Sequence, residues 1–382
     1  MKLSYQRALW IWVCVIAFQS SWAAPVVEVG VTDKTILLGE SAALSGPAAK
    51  LGQNMNLGAR LVFDAVNAHG GIYGRKIELR VRDDGYEVER AKQNTLDFVH
   101  KDGVFALFGY VGTPTSNAAA PIFTEARVPF FGAYTGASSL RDPFNRYVFN
   151  IRASYVDETE RIVEQLTTTG ATKIGVFYQN DAYGKAGLDG VTQALSRRQL
   201  KVAALATVER NSTDVAQAAA ALRAADPNAI VQISAYASCA ALIKQMREAG
   251  YTGQFVNVSF VGSQELAETL GPEGSGVMIT QVVPFPWSSV SGLQRDYNLA
   301  LKAAGIANPD FGTMEGYIAA RVFVEGLRRA GRDLTREGLI NALETLHDFD
   351  LGGFTVNFSP DNHNGSRFVE ITMIGTRGNF VK

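Results

Sequence analysis

Four histidines, two cysteines and one pair of adjacent aspartates are the first residues in this 382-residue chain to weigh as reaction chemistry. His69, His100, His347 and His363 are scattered, and no two stand at metal-ligand spacing. His69 precedes Gly70-Gly71 at the end of a helical pattern, and His363 lies in the turn-like string SPDNHNG. Asp83-Asp84 close a strand-like run and read as solvated strand-end carboxylates. No G-x-G-x-x-G opens a helix after the first strand, and neither a phosphate-loop motif nor a G-x-S-x-G elbow occurs. The sequence therefore offers no catalytic constellation, no metal set and no cofactor cradle. It offers instead strands that run into small and hydroxyl residues: FGYVGTPTS, FGAYTGASS, YQNDAYGKAG and ISAYASCAA. Free N–H groups at a helix start favour an anion, and small side chains let a ligand approach the backbone. The chemistry implied is non-covalent capture in a cleft.

The elements around these strings alternate. KIELRVRDD has the polar–apolar alternation of a half-buried strand, whereas VFALFGY and VPFFGAY are continuous apolar runs suited to a parallel sheet covered on both faces. VVEVGVTD reads as the first strand. Helical patterns separate the runs, as in NLGARLVFDAVNAHGG and ASCAALIKQMREAGY. The rhythm restarts after RYVFNIRAS, so two doubly wound α/β units are expected. Three successive helices follow, Leu293 to Ala304, Glu315 to Ala330 and Arg336 to Leu346, with Ala319, Phe323 and Leu327 as a buried stripe. The chain ends in two strands joined by a turn-rich link. In open α/β sheets a ligand crevice lies beyond the carboxyl ends of the strands, where the small-residue strings fall.

Composition bounds the partners. A net charge of −1 carries no basic excess for nucleic acid or anionic lipid. Lys2 and Arg7, the apolar run Ala8 to Phe18 and the small residues Ser21 and Ala23 form a secretory signal, residues 1–23, cleaved after Ala23. Cys14 leaves with it, and Cys239 alone can form no internal disulfide. With no second apolar run of about 18 residues, the expected product is a soluble exported protein, which in a bacterium means the periplasm.

ALSGPAAKLGQNMNLGARLVFDAVNAHGGIYGRKIELRVRDD resembles the opening of periplasmic solute-binding proteins of ABC importers in the leucine/isoleucine/valine-binding class. Leu44-Ser45-Gly46-Pro47, Gly70-Gly71-Ile72, Gly74 and Asp83-Asp84 carry the likeness. Tyr183 in YGKAG, EAGYTGQF and GYIAARVFVEGL continue it along nearly the whole chain. The resemblance implies two lobes joined by three hinge crossings, near Arg152, Gln281 and Leu351. Lobe 1 would be residues 24–152 with 282–350, and lobe 2 residues 153–281 with 351–382. It implies a non-enzymatic monomer that captures a small amino acid or related carboxylate and passes it to an inner-membrane ABC permease. An alternative is a ligand-binding sensor for an aromatic or aliphatic carboxylic acid. By position, Thr113, Ala133 and Thr135 would hold the ligand carboxylate, and Tyr183 and Tyr236 would close on it. Leu51, Tyr110 and Tyr134 would line the side-chain pocket. Ser259 stands where amino-acid binders of this class place an acid for the ligand ammonium. Either Glu315 or Asp181 replaces that acid, or the ligand has no amino group.

Overall fold

The computed structural model describes residues 28–382, so the signal segment, its cleavage site and Cys14 lie outside the described residues. The first unit comprises β1 (Thr35–Ala42), α1 (Ala49–Ala68), β2 (Lys76–Asp83), α2 (Val88–Asp97), β3 (Ala106–Phe108), α3 (Thr113–Glu125), β4 (Phe130–Phe131) and β5 (Val148–Phe149). Its strands are all parallel, in the order β2-β1-β3-β4-β5. The second unit comprises α4 (Tyr155–Thr168), β6 (Ile174–Gln179), α5 (Ala182–Ser196), β7 (Ala204–Val208), α6 (Ala216–Ala225), β8 (Ala229–Ile233), α7 (Tyr236–Glu248), β9 (Gln254–Asn257), α8 (Ser263–Leu270) and β10 (Met278–Gln281). Its parallel strands run β7-β6-β8-β9-β10, the same winding as the first sheet. Both sheets therefore reverse direction between their first and third strands, where an open crevice forms.

The chain then returns. α9 (Gly292–Ala303), α10 (Phe311–Ala330) and α11 (Arg336–Leu343) pack on the first lobe, with α10 lying along α1. Gly58 and Gly316 allow that closeness: a Cβ on Gly58 would lie 1.9 Å from the Thr313 carbonyl oxygen. Phe323 on α10 meets Phe63, Phe108 and Phe131 edge-on, which centres the first core on the expected apolar stripe. The short hairpin β11 (Phe349–Asp350) and β12 (Thr355–Val356) follows, and β13 (Glu370–Ile374) with β14 (Phe380–Val381) extends the second sheet antiparallel to β10.

Two expectations change. The first strand is Thr35–Ala42; Val31 contributes only an isolated bridge to Ile36. The third passage between lobes lies beyond Leu351. Gly365 N–H donates to the Asn150 carbonyl at 2.8 Å, and Phe358 packs on Phe149, so residues up to 365 stay with the first lobe and the passage falls before β13.

Candidate functional site

Four helices begin at the interlobe cleft: α3 at Thr113, α4 at Tyr155, α5 at Ala182 and α7 at Tyr236. Each follows the carboxyl end of a strand, so each turns backbone N–H groups toward the crevice. Ser154 caps α4 by accepting from Asp157 N–H at 3.1 Å, and Asp181 caps α5 by accepting from Tyr183 N–H at 2.9 Å. These caps fix where Tyr155 and Tyr183 point.

The Thr113 and Thr135 hydroxyls are 2.6 Å apart and fully buried, and Thr135 donates to the Tyr155 hydroxyl at 3.2 Å. Beside them stands an aromatic cluster shared by both lobes. Phe260 packs on Tyr183 at 4.5 Å, on Tyr134 at 5.5 Å and on Tyr86 at 5.9 Å between centroids. Tyr86 leans against the start of α3 because Gly112 has no side chain: with φ at 95°, a Cβ there would lie 2.2 Å from Tyr86 Cε2. The Tyr86 hydroxyl in turn accepts from Gln179 Nε2 of the second lobe at 3.2 Å. A second point of closure is Gly262, where Leu51 arrives from lobe 1 and Tyr236 from lobe 2; a Cβ would lie 2.8 Å and 3.2 Å from them.

Arg152 is the charged centre. It sits in the first crossing at 1% exposure, between Glu158 Oε1 at 3.3 Å and Glu315 Oε1 at 3.4 Å, with its guanidinium 4.9 Å from the Tyr134 ring centre. Burial alone would lower its pKa, but the carboxylates of Glu315 and Glu158 hold it above the ordinary value. Nε and Nη1 have no hydrogen-bond acceptor among the described residues, although Nη1 faces Glu315 at ion-pair range.

The two acids differ. Glu158 is saturated: it accepts from Ser259 N–H at 2.8 Å, Ser259 Oγ at 3.0 Å, Thr280 Oγ1 at 2.6 Å and the Arg152 guanidinium. Ser259 also accepts from Arg152 Nη2. The position expected to lack an acid is thus supplied with one from α4. Glu315 makes no side-chain hydrogen bond among the described residues. Burial, opposed by Arg152 and reinforced by Glu158, pushes its carboxyl up to about 7. Asp181 is engaged elsewhere, by Arg210 Nε at 3.0 Å and Gln179 Nε2 at 2.6 Å.

The structure therefore brings Thr113, Thr135, Tyr134, Tyr183, Ser259 and Glu315 to the central site, and Leu51 and Tyr236 to its flank. One expected residue turns away. Tyr110 is not a pocket wall: its ring packs on Phe130 at 5.1 Å in the outer core of lobe 1, and its hydroxyl meets Thr95 at 3.0 Å. The Ala133 methyl lies in the same outer core, which is compatible with the backbone role that the resemblance implies for it. The small residues of FGAYTGASS have partly internal causes. A Cβ on Gly136 would lie 2.7 Å from Tyr155 N, and one on Gly132 would lie 3.1 Å from Ala319 Cβ. Asp83-Asp84 are also not a solvated pair. Asp84 is fully buried and accepts from Ser41 Oγ and Tyr86 N–H, while Asp83 gathers the N–H groups of Leu44, Ser45 and Gly85. Together they shape the turn that carries Tyr86. Arg152, Glu158, Tyr86, Tyr155 and Phe260 were missed by sequence reasoning; a lone arginine inside the apolar run YVFNIRASY was the available signal.

Residues 35–379 match a family described as periplasmic binding protein. The fold is similar to a crystal structure of a possible leucine/isoleucine/valine-binding protein from Rhodopirellula baltica SH 1, at 35% identity and a TM-score of 0.86 over 92% of this chain and 96% of that one. It is also similar to a substrate-binding periplasmic protein from Ralstonia solanacearum, at 36% identity and a TM-score of 0.85 over 91% and 99%. A fatty acid ABC transporter substrate-binding protein from Thermomonospora curvata matches at 26% identity and a TM-score of 0.81 over 93% and 92%.

Proposed function

Because this chain belongs to the periplasmic binding protein family, we propose that it captures a small amino acid or related carboxylate between its lobes and delivers it to an ABC permease. The observation that carries this is the buried Arg152 guanidinium, with Nε and Nη1 lacking hydrogen-bond acceptors among the described residues, in a site that also holds the Thr113–Thr135 hydroxyl pair. A desolvated cation without full hydrogen bonding is costly, and a ligand carboxylate relieves it. Glu315 is the residue available to an ammonium group, since Glu158 is saturated and Asp181 is held by Arg210. The aromatic ring set of Tyr86, Tyr134, Tyr183 and Phe260 suits an apolar or aromatic ligand body.

The name of the Thermomonospora relative supports delivery to a transporter and keeps an acid without an amino group in view. So does the raised Glu315, which as a neutral carboxyl tolerates such an acid. None of the helices among the described residues is long and apolar enough to cross a membrane. Export through the 1–23 signal, a periplasmic site of action and a monomeric state complete the reading. Calorimetric titration with a panel of amino acids and their deaminated analogues tests it. Saturable binding by a member of either series that is lost in Arg152→Met is expected. Binding unaffected by that substitution would remove the carboxylate reading.

A further inference from the structure

On the flank of the cleft three polar side chains from three elements meet across the lobes. Asn54 on α1 donates through Nδ2 to Glu265 Oε1 on α8 at 2.8 Å and to Asp310 Oδ1 at 3.0 Å. Asp310 also caps α10, accepting from Thr313 N–H at 2.9 Å. One amide NH₂ has two hydrogens, so the Asn54 donors are both used in holding one carboxyl group from each lobe. Both carboxyl groups are about nine-tenths buried, at 8% exposure. Among the described residues no lysine, arginine or histidine lies within ion-pair range of either. The other groups facing them are Glu268 on α8, Tyr236 from α7, Tyr134 after β4 and Tyr297 from α9, and none supplies a positive charge. Two like charges brought this close in a dry setting repel, and a proton resolves the conflict.

We propose that Asn54, Asp310 and Glu265 form an interlobe latch that closes on taking up one proton. Its operation does not depend on which solute the cleft accepts. Burial first, and the Asp310 charge second, push Glu265 up to about 7 in the closed form, and burial raises Asp310 as well. When the lobes part, Glu265 is resolvated and returns toward its ordinary 4.5. A group whose pKa is higher in the closed form favours closure at low pH and ceases to do so as pH rises through about 7. Between pH 6 and pH 8 Glu265 alone is expected to lower the closed-to-open ratio about tenfold.

The test is small-angle X-ray scattering of the mature chain without added ligand, at pH 6 and pH 8, for the wild type, Glu265→Gln and Asn54→Ala. Thermal melts at both pH values check that each variant is folded. The wild type is expected to show a larger radius of gyration at pH 8. Glu265→Gln, nearly isosteric and uncharged, is expected to lose the Glu265 share of this response and keep only the share that the buried Glu315 carries, and Asn54→Ala to be more open than the wild type at both. A wild type with the same radius at both pH values, or a Glu265→Gln variant that keeps the wild-type response, overturns the latch. Because no solute is present, either result leaves the proposed carboxylate capture to be judged on its own titrations.

Discussion

Glu315 gives the sharpest handle on the ligand. Arg152 already faces the saturated Glu158, so Glu315 is an acid beyond the one that the guanidinium neutralises. Carrying a carboxyl group from its ordinary 4.5 to about 7 corresponds to about 3 kcal/mol against the ionised form. In the open cleft Glu315 is solvated and ionised at neutral pH. A carboxylate without an amino group closes the cleft around Glu315 and adds a second negative charge. It is therefore expected to bring in about half to one proton at pH 7, and its affinity to fall as pH rises toward the Glu315 pKa of the closed complex, by at most about tenfold per pH unit, and to level off above it. A zwitterion supplies the missing cation, keeps Glu315 ionised and is expected to move close to no proton through this residue. Calorimetry at pH 7 in buffers of different ionisation enthalpy reads the proton count, with L-leucine against 4-methylpentanoate and L-phenylalanine against 3-phenylpropanoate. The decisive quantity is the uptake of the wild type minus that of Glu315→Gln, which cancels every other titrating group, including the Glu265 latch. A difference of zero for a bound plain acid, or the same difference for both members of a pair, would refute the placement of Glu315 beside the ligand.

Thr135→Val keeps the shape of the side chain and removes a donor to the ligand, which is expected to weaken binding by about 1.5–3 kcal/mol, roughly 10- to 150-fold by titration. The same hydroxyl bonds Thr113 and Tyr155 in the closed form, so the empty variant is also expected to lose about 1 kcal/mol in a denaturant melt. Burial works against Asp83 ionisation, but the hydrogen bonds from Ser45, Leu44, Gly85 and Arg90 outweigh it and hold its carboxyl well below the ordinary range. Asp83→Asn is expected to lower the melting temperature at pH 7. The wild-type advantage, present above the unfolded carboxyl pKa, is expected to shrink as pH falls toward the depressed value. An equal melting temperature for the two proteins at pH 7 would count against Asp83 as the organiser of the Tyr86 turn.

The repeated strand-and-helix rhythm made both sheets legible, because continuous apolar runs such as VFALFGY fit little other than buried parallel strands. Thr113 and Thr135 were named only by the resemblance to periplasmic solute-binding proteins, and both sit just past strand ends, where their hydroxyls meet at 2.6 Å. Side-chain direction was harder to read. Tyr110 and Val111 are adjacent in a strand-end stretch, and a change of one residue sends a side chain to the opposite face. The ring of Tyr110 therefore falls in the outer core. The Arg152–Glu158–Ser259 arrangement joins a crossing, a helix and a strand end with more than a hundred residues between Arg152 and Ser259, and no local pattern encodes such a meeting. The third crossing was placed early because residues 351–365 look like terminal strands, whereas Asn150 and Phe149 draw them back onto the first lobe.

Capture by closure of the two lobes is tested most directly by scattering at pH 8, where the Glu265 latch favours the open form. The wild type is measured alone and saturated with whichever ligand the calorimetric panel identifies. A smaller radius of gyration on saturation is the expected result, and an unchanged profile at demonstrated saturation would contradict capture between the lobes.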